Sequence, residues 1–121
     1  MALRCLIVDD NPRFGYEARS LLETEGISVV GVAESGDEAV RLAKAAAPDI
    51  ALVDIGLGEE SGFDVALRIV DGAPERAPAV IFISTYDEQE FADRIAASRA
   101  LGFIAKTQLS AESIRRLLGD D

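Results

Sequence analysis

Apolar residues fall along this chain in short runs, separated by longer stretches with helical spacing. Five runs are brief, rich in valine and isoleucine, and mostly unbroken: Arg4–Val8, Ser28–Ala33, Ile50–Val53, Val80–Ile83 and Gly102–Ala105. Unbroken runs of this length predict strands covered on both faces. Five other segments read as helices. The first spans about Pro12 to Glu25, where Asn11 can cap, Pro12 suits the first position and Gly26 ends the helix; Phe14, Ala18, Leu21 and Leu22 share one face. The second spans about Gly36 to Ala47, with Ser35 and Glu38 at capping-box spacing and Pro48 as the stop. The third spans about Gly62 to Asp71 and turns Phe63, Ala66, Leu67 and Val70 inward. The fourth is expected over Glu88–Ala100, opened by a second capping box, Asp87 and Glu90. The fifth spans Ala111–Leu118, capped by Ser110, with Leu109 and Ile114 placed for a hydrophobic staple.

Strict alternation of strand and helix predicts an α/β fold: a doubly wound parallel sheet of five strands with helices on both faces, in three layers. No repeat, low-complexity segment or linker interrupts it, so residues 1–121 read as one domain. The one loose stretch is "DGAPERAPA", Asp71–Ala79, expected as the surface loop before the fourth strand. A chain of this size buries roughly two thirds of its unfolded surface and needs no disulfide or structural metal to fold. The single cysteine, Cys5, lies in the first apolar run and reads as a small core residue in a reducing compartment. No stretch approaches the ~20 apolar residues of a membrane span, and acids follow the first run too soon for a signal peptide. The expectation is a cytoplasmic protein without membrane contact.

The 22 acidic residues outnumber the 12 basic ones, giving a net charge of −10 with no basic cluster. Direct nucleic-acid binding by this domain is not expected, since neutralising phosphates requires a basic face. There is no histidine, which removes the commonest metal ligand and the commonest base near neutral pH. Chemistry must run on carboxylates, hydroxyls and lysine.

In an open parallel sheet, ligands bind beyond the carboxyl ends of the strands. Asp9 and Asp10 follow the first strand, Glu34 and Ser35 the second, Asp54 the third, Ser84 and Thr85 the fourth, and Lys106 the fifth. Any one of these has an ordinary explanation, because loops are wet and surface serine or lysine needs no reason. The conjunction is different. Two carboxylates ~4 Å apart repel by about 4 kcal/mol at an effective dielectric of ~20. Three stay ionised together only beside compensating positive charge. Lys106 supplies one unit and a divalent cation would supply two. With oxygen donors alone, the cation expected is Mg²⁺ first and Mn²⁺ next. Metal and lysine together could screen an incoming phosphoryl group, and a carboxylate could attack phosphorus to give an aspartyl phosphate.

From "LIVDDN" through "ALVDIGL" and "GFDVALRI" to "FISTYD" and "GFIAKT", the whole chain resembles the receiver domain of bacterial two-component response regulators. The resemblance implies a flavodoxin-like fold with strand order 2-1-3-4-5. It implies that Asp54 is the phosphoacceptor, and that Asp9, Asp10, Asp54 and the backbone carbonyl of Gly56 hold Mg²⁺. Lys106 would pair with the phosphoryl group. Ser84 would be the hydroxyl that moves on activation, with Thr85 the other candidate. Phe103 would be the aromatic switch, its alternative being a plain core residue. The implied donor is a histidine kinase or histidine phosphotransfer protein. The implied output is a surface of the fourth helix, fifth strand and fifth helix, offered to a downstream protein or an attached output domain, with dimerisation through those helices a further route. The chain would catalyse only its own phosphorylation and dephosphorylation. Whether it is a complete single-domain regulator or the receiver of a longer, DNA-binding one stays open.

Three departures from the family pattern stand out. Gly58, followed by Glu59 and Glu60, replaces a common proline, predicting a more flexible loop and extra acids near the site. Thr107 replaces the proline that often follows the lysine in a cis peptide. Gly56 offers no side chain to attacking water, and Tyr86 is placed to shield the site in part. Two other classes fit poorly. A flavodoxin-like cofactor binder needs a phosphate loop where "DDNPRF" is acidic, and a haloacid dehalogenase-type phosphohydrolase needs an acid where Gly56 stands. The remaining alternative is a receiver-like interaction module that works without phosphorylation.

Overall fold

A computed structural model describes residues 2–73 and 75–119. The strands are β1 (Arg4–Val8), β2 (Ser28–Ala33), β3 (Ile50–Asp54), β4 (Ala79–Ser84) and β5 (Gly102–Ala105). They form one parallel sheet in the order β2-β1-β3-β4-β5. This is the doubly wound, flavodoxin-like architecture predicted from the alternation and the resemblance. Two strands run one residue further than the apolar pattern indicated. Asp54 pairs with Ile83 and Ser84 with Ala105, so both polar residues are held by the sheet ladder itself. Of the loop expected over residues 71–79, Asp71 ends a helix, Ala79 opens β4, and Pro74 lies outside the described residues.

The helices are α1 (Pro12–Thr24), α2 (Gly36–Ala46), α3 (Gly62–Asp71), α4 (Ala92–Ala97) and α5 (Ala111–Leu118). Asn11 caps α1, its side chain accepting from the amides of Arg13 and Phe14, with Pro12 at the first position. Ser35 caps α2 through the Glu38 amide, and Ser110 caps α5 in a box with Ser113. Because strand side chains alternate between faces, the sheet divides the core in two. Leu6, Val8, Val53 and Phe82 pack with α2 and α3, whereas Cys5, Ile7, Leu52 and Ile83 pack with α1 and α5. Each fully buried aliphatic side chain contributes ~1.5–3 kcal/mol, so both layers are anchored strongly.

Three expectations about helix faces and lengths need correction. Leu21 on α1 and Leu67 on α3 are exposed, at 41% and 55%. The buried arcs are instead Gly15, Ala18 and Leu22 on α1, and Phe63, Val65, Ala66 and Ile69 on α3. The fourth helix is not continuous over Glu88–Ala100. A 3₁₀ turn, Glu88–Phe91, precedes the six-residue α4. Asp87 accepts from the Gln89 amide with its side chain and from the Glu90 amide with its carbonyl, which tightens the entry into i→i+3 geometry. Ser98 ends α4 by turning both its amide and its hydroxyl onto the Ile95 carbonyl. No residue of the turn or of α4 is buried, so packing does not enforce a longer helix.

Cys5 is fully buried, and burial pushes its thiol up to about 12. A thiol reagent at about pH 8 should therefore label Cys5 no faster than the protein unfolds, with a rate that rises with denaturant alongside the unfolding rate. Rapid, stoichiometric labelling of the native protein would contradict this placement.

Candidate functional site

The carboxyl ends of β1, β3 and β5 bring four of the predicted polar residues together, Asp9, Asp10, Asp54 and Lys106. The Asp9 amide donates to the Ala33 carbonyl at 2.9 Å, which prolongs β1 alongside β2 and carries the Asp9 side chain into full burial. Asp9 Oδ1 accepts from the Asn11 amide at 2.9 Å, linking the acid to the start of α1. Asp54 is 8% exposed at the last position of β3. Its Oδ1 accepts from the Gly56 amide at 3.2 Å and its Oδ2 from Lys106 Nζ at 3.1 Å. Lys106 begins the 3₁₀ turn after β5, and its Nζ also stands 2.6 Å from Asp9 Oδ2. One ammonium thus bridges two buried carboxylates. Asp10, beside them, is exposed.

Burial pushes the Asp54 carboxyl above its ordinary range; Lys106 pulls against this, the Asp9 charge adds to it, and the net direction is up. Burial pulls the Lys106 ammonium down, but its contacts with Asp9 and Asp54 outweigh that and hold it above the ordinary lysine range. Carboxylate oxygens of Asp9, Asp10 and Asp54 lie within 4.8 Å of one another. Asp9 Oδ2 is buried without a directed hydrogen bond, its contact with Lys106 being ionic. Three hard oxygen donors this close together, carrying more negative charge than one lysine balances, fit a small divalent cation.

Residues 5–118 match the family described as response regulator receiver domain. The chain belongs to this family. It is 32% identical over 109 residues to a putative transcriptional regulator of Pseudomonas aeruginosa, a match that covers 90% of this chain and 52% of the relative. The chain therefore spans about half the length of the curated relatives it matches first. The receiver domain of a modulated diguanylate cyclase from Desulfovibrio desulfuricans G20 superposes with a TM-score of 0.80 at 34% identity, covering 98% of this chain and 92% of that one. A response regulator from Burkholderia pseudomallei, whose structure carries a phosphorylated aspartic acid, a calcium ion and citrate, superposes with a TM-score of 0.81 at 26% identity, covering 95% of this chain and 66% of that one. Receiver domains are signalling switches of two-component systems. Among the described residues, no helix is long and apolar enough to cross a membrane.

The remaining predicted residues lie on β4, on β5 and in the turns that follow β3 and β4. Ser84 is buried, and its Oγ accepts from the Tyr86 amide at 2.9 Å. Thr85 is exposed. Tyr86 is also exposed, its ring edge-on to Phe91 with centroids 6.4 Å apart. Phe103 is half-buried against the α2/α3 side of the core, in register with Phe82. The loop after Asp54 forms a two-residue ladder, Gly56–Leu57 with Glu60–Ser61, turned by Gly58 at φ 65°. Its end is so close to β3 that a Cβ on Gly62 would stand 2.1 Å from the Asp54 carbonyl oxygen, so only glycine fits there. The bond from Lys106 to Thr107 is trans, as are all peptide bonds among the described residues.

Two contacts went unrecognised in the sequence. Phe14, assigned there only to an α1 face, lies under Lys106, with Nζ 4.4 Å from its ring centroid. Glu60, assigned to the acidic surroundings of the site, turns to the amide of Gly36 and to Arg68 instead. The signal for Phe14 was its place in the first turn after the two acids. Nothing local pointed Glu60 toward α2.

A carboxyl whose folded-state pKa lies above its unfolded value adds stability while protonated. It loses that contribution as pH rises from the unfolded pKa through the folded one. In the presence of a chelator, Asp54→Asn should therefore raise the thermal unfolding midpoint at neutral pH, the gain vanishing below about pH 4. Lys106→Ala should act oppositely, leaving buried Asp9 without its counter-charge at a cost of about 3 kcal/mol. Circular dichroism melts at both pH values check the pair. A lower midpoint for Asp54→Asn at neutral pH would contradict the electrostatics described.

Proposed function

We propose that this receiver domain is a phosphorylation-dependent switch that accepts a phosphoryl group on Asp54. The observation that carries the reading is the Lys106 ammonium lodged between Asp9 and Asp54 at the strand ends, with Asp10 completing the acidic cluster. The donor is a phosphohistidine on a histidine kinase or phosphotransfer protein. A carboxylate oxygen of Asp54 bonds to phosphorus as the phosphorus–nitrogen bond of the donor breaks, and the electron pair stays on the imidazole nitrogen. The Gly56 amide and Lys106 already hold the two oxygens of Asp54, so the acceptor is oriented before the donor arrives. Asp9, Asp10, Asp54 and the Gly56 carbonyl are the residues that would hold Mg²⁺. When bound, the ion supplies positive charge against the transferring oxygens. Lys106 keeps its proton throughout and faces the new phosphoryl oxygens, which replace its bond to Asp54.

The Ser84 hydroxyl then donates to a phosphoryl oxygen. Its present partner, the Tyr86 amide, belongs to the turn that leads to α4, so movement of Ser84 is passed to that helix. Phe103, half-buried on β5, is the second element of the switch. The surface of α4, β5 and α5 changes as a result and meets a downstream protein, an attached output domain or a second copy of the chain. Relatives that include a putative transcriptional regulator of Pseudomonas aeruginosa support a DNA-binding output. The phosphorylated aspartic acid in the Burkholderia pseudomallei regulator, whose structure also holds a calcium ion, supports the chemistry.

Intact mass after incubation with Mg²⁺ and acetyl phosphate tests the reading. The expected result is a gain of one phosphoryl group, absent in Asp54→Asn and absent with chelator. If acetyl phosphate and a phosphorylated histidine kinase domain both leave the mass unchanged, the reading fails.

A further inference from the structure

We propose that Glu60 is a positioning residue: its carboxylate seats the Gly56–Ser61 hairpin on α2 and α3, and so holds that hairpin over the acidic cluster. The inference rests on the reading of that cluster as a cation and phosphoryl site. Glu60 Oε1 accepts the Gly36 amide, the first of α2, at 2.9 Å. Its Oε2 lies 3.6 Å from Arg68 Nη1 on α3, and Arg68 Nη2 donates to Asp37 Oδ1 at 2.6 Å. Glycine leaves the seat open, and a larger residue would push Glu60 out of it. A Cβ on Gly36 would stand 2.4 Å from Glu60 Oε2 and 2.9 Å from Val65 Cγ2.

The hairpin needs such an anchor. Its ladder has only two pairs, Gly56 with Ser61 and Leu57 with Glu60, and an isolated two-stranded hairpin is marginal in water. Leu57 is buried at 4% exposure and holds one side; Glu60, opposite it, holds the other. What the anchor positions is at the site. Gly56 carries the carbonyl assigned to the cation, and Gly58 lies next to Asp10, whose Oδ2 would stand 3.4 Å from a Cβ added there. The same geometry takes the Glu60 charge out of the cluster and places it against Arg68.

The test pairs amide hydrogen exchange in the absence of metal with Mg²⁺ titration, both followed by NMR. Glu60→Ala should speed exchange across Gly56–Ser61 and weaken Mg²⁺ binding, each by about tenfold. Gly36→Ala, which fills the seat, should reproduce both effects. Glu60→Gln keeps the acceptor for Gly36 and should fall between Glu60→Ala and wild type. Glu59→Ala removes the same charge without touching the seat and should leave exchange unchanged. If Glu60→Ala and Glu59→Ala behave alike, the proposal is overturned and only net charge matters. A wild-type protein that binds no Mg²⁺ would overturn the reading of the cluster instead. The metal-free exchange still decides the anchor in that case, since wild-type exchange in Glu60→Ala overturns it.

Discussion

The Lys106 ammonium shared by Asp9 and Asp54 is the contact on which the strand-end arrangement depends. Asp9 is fully buried and Asp54 nearly so, and a sheet cannot hold two such charges together without an opposite one. The three residues come from β1, β3 and the end of β5, so the lysine reaches across β4 to join them. Strand order and electrostatics are thus one problem. Only an order that sets β1 beside β3, with β5 within a lysine's reach, neutralises the acids. Phe14 completes the arrangement by covering the ammonium with its ring. One cation for two buried acids, with Asp10 close by, still leaves negative charge in excess, which suits a site that takes up further positive charge.

Close backbone approach is the second constraint. Gly62 lets the chain return against the Asp54 carbonyl before α3 begins, and Gly36 lets Glu60 dock on α2. Both glycines sit at helix starts, where Ser61 and Ser35 supply the caps. Strand β3 is therefore linked to both helices of one layer through short, crowded turns.

The opposite flank is built differently. The 3₁₀ turn and α4 contain no buried residue and lean on the core through Phe91 and Ile95. Phe63 is their meeting point. It packs on Phe82 at 4.7 Å and Phe91 at 6.4 Å, while Arg94 stacks over its ring at 4.2 Å and extends to Ser61 Oγ at 3.5 Å. Tyr86, whose amide engages Ser84, lies against Phe91 as well. The two turns flanking Asp54 therefore converge on the least buried helix, and elements with few buried contacts are the ones that open at low cost.

The sequence by itself determined the five strands, the layer order and the identity of the polar residues at the strand ends. These depend on burial on both faces and on capping, which are settled within a few residues of chain. It also determined the caps at Asn11, Ser35 and Ser110 for the same reason. It did not determine which side chains of a helix meet the sheet. Leu21 and Leu67 share an apolar period with buried neighbours yet face outward, because sheet twist and the width of the contact choose the arc. It did not show that the fourth helix shortens, since length there depends on packing that α4 lacks. It placed Lys106 among the strand-end carboxylates as compensating charge, but not which two of them share it, and it did not reveal that Phe14 covers the ammonium or that Glu60 docks on Gly36. Those contacts join residues far apart in the chain, and only the tertiary fold decides which charges share a partner, because Coulomb energy and desolvation depend on distance in space rather than on position in sequence.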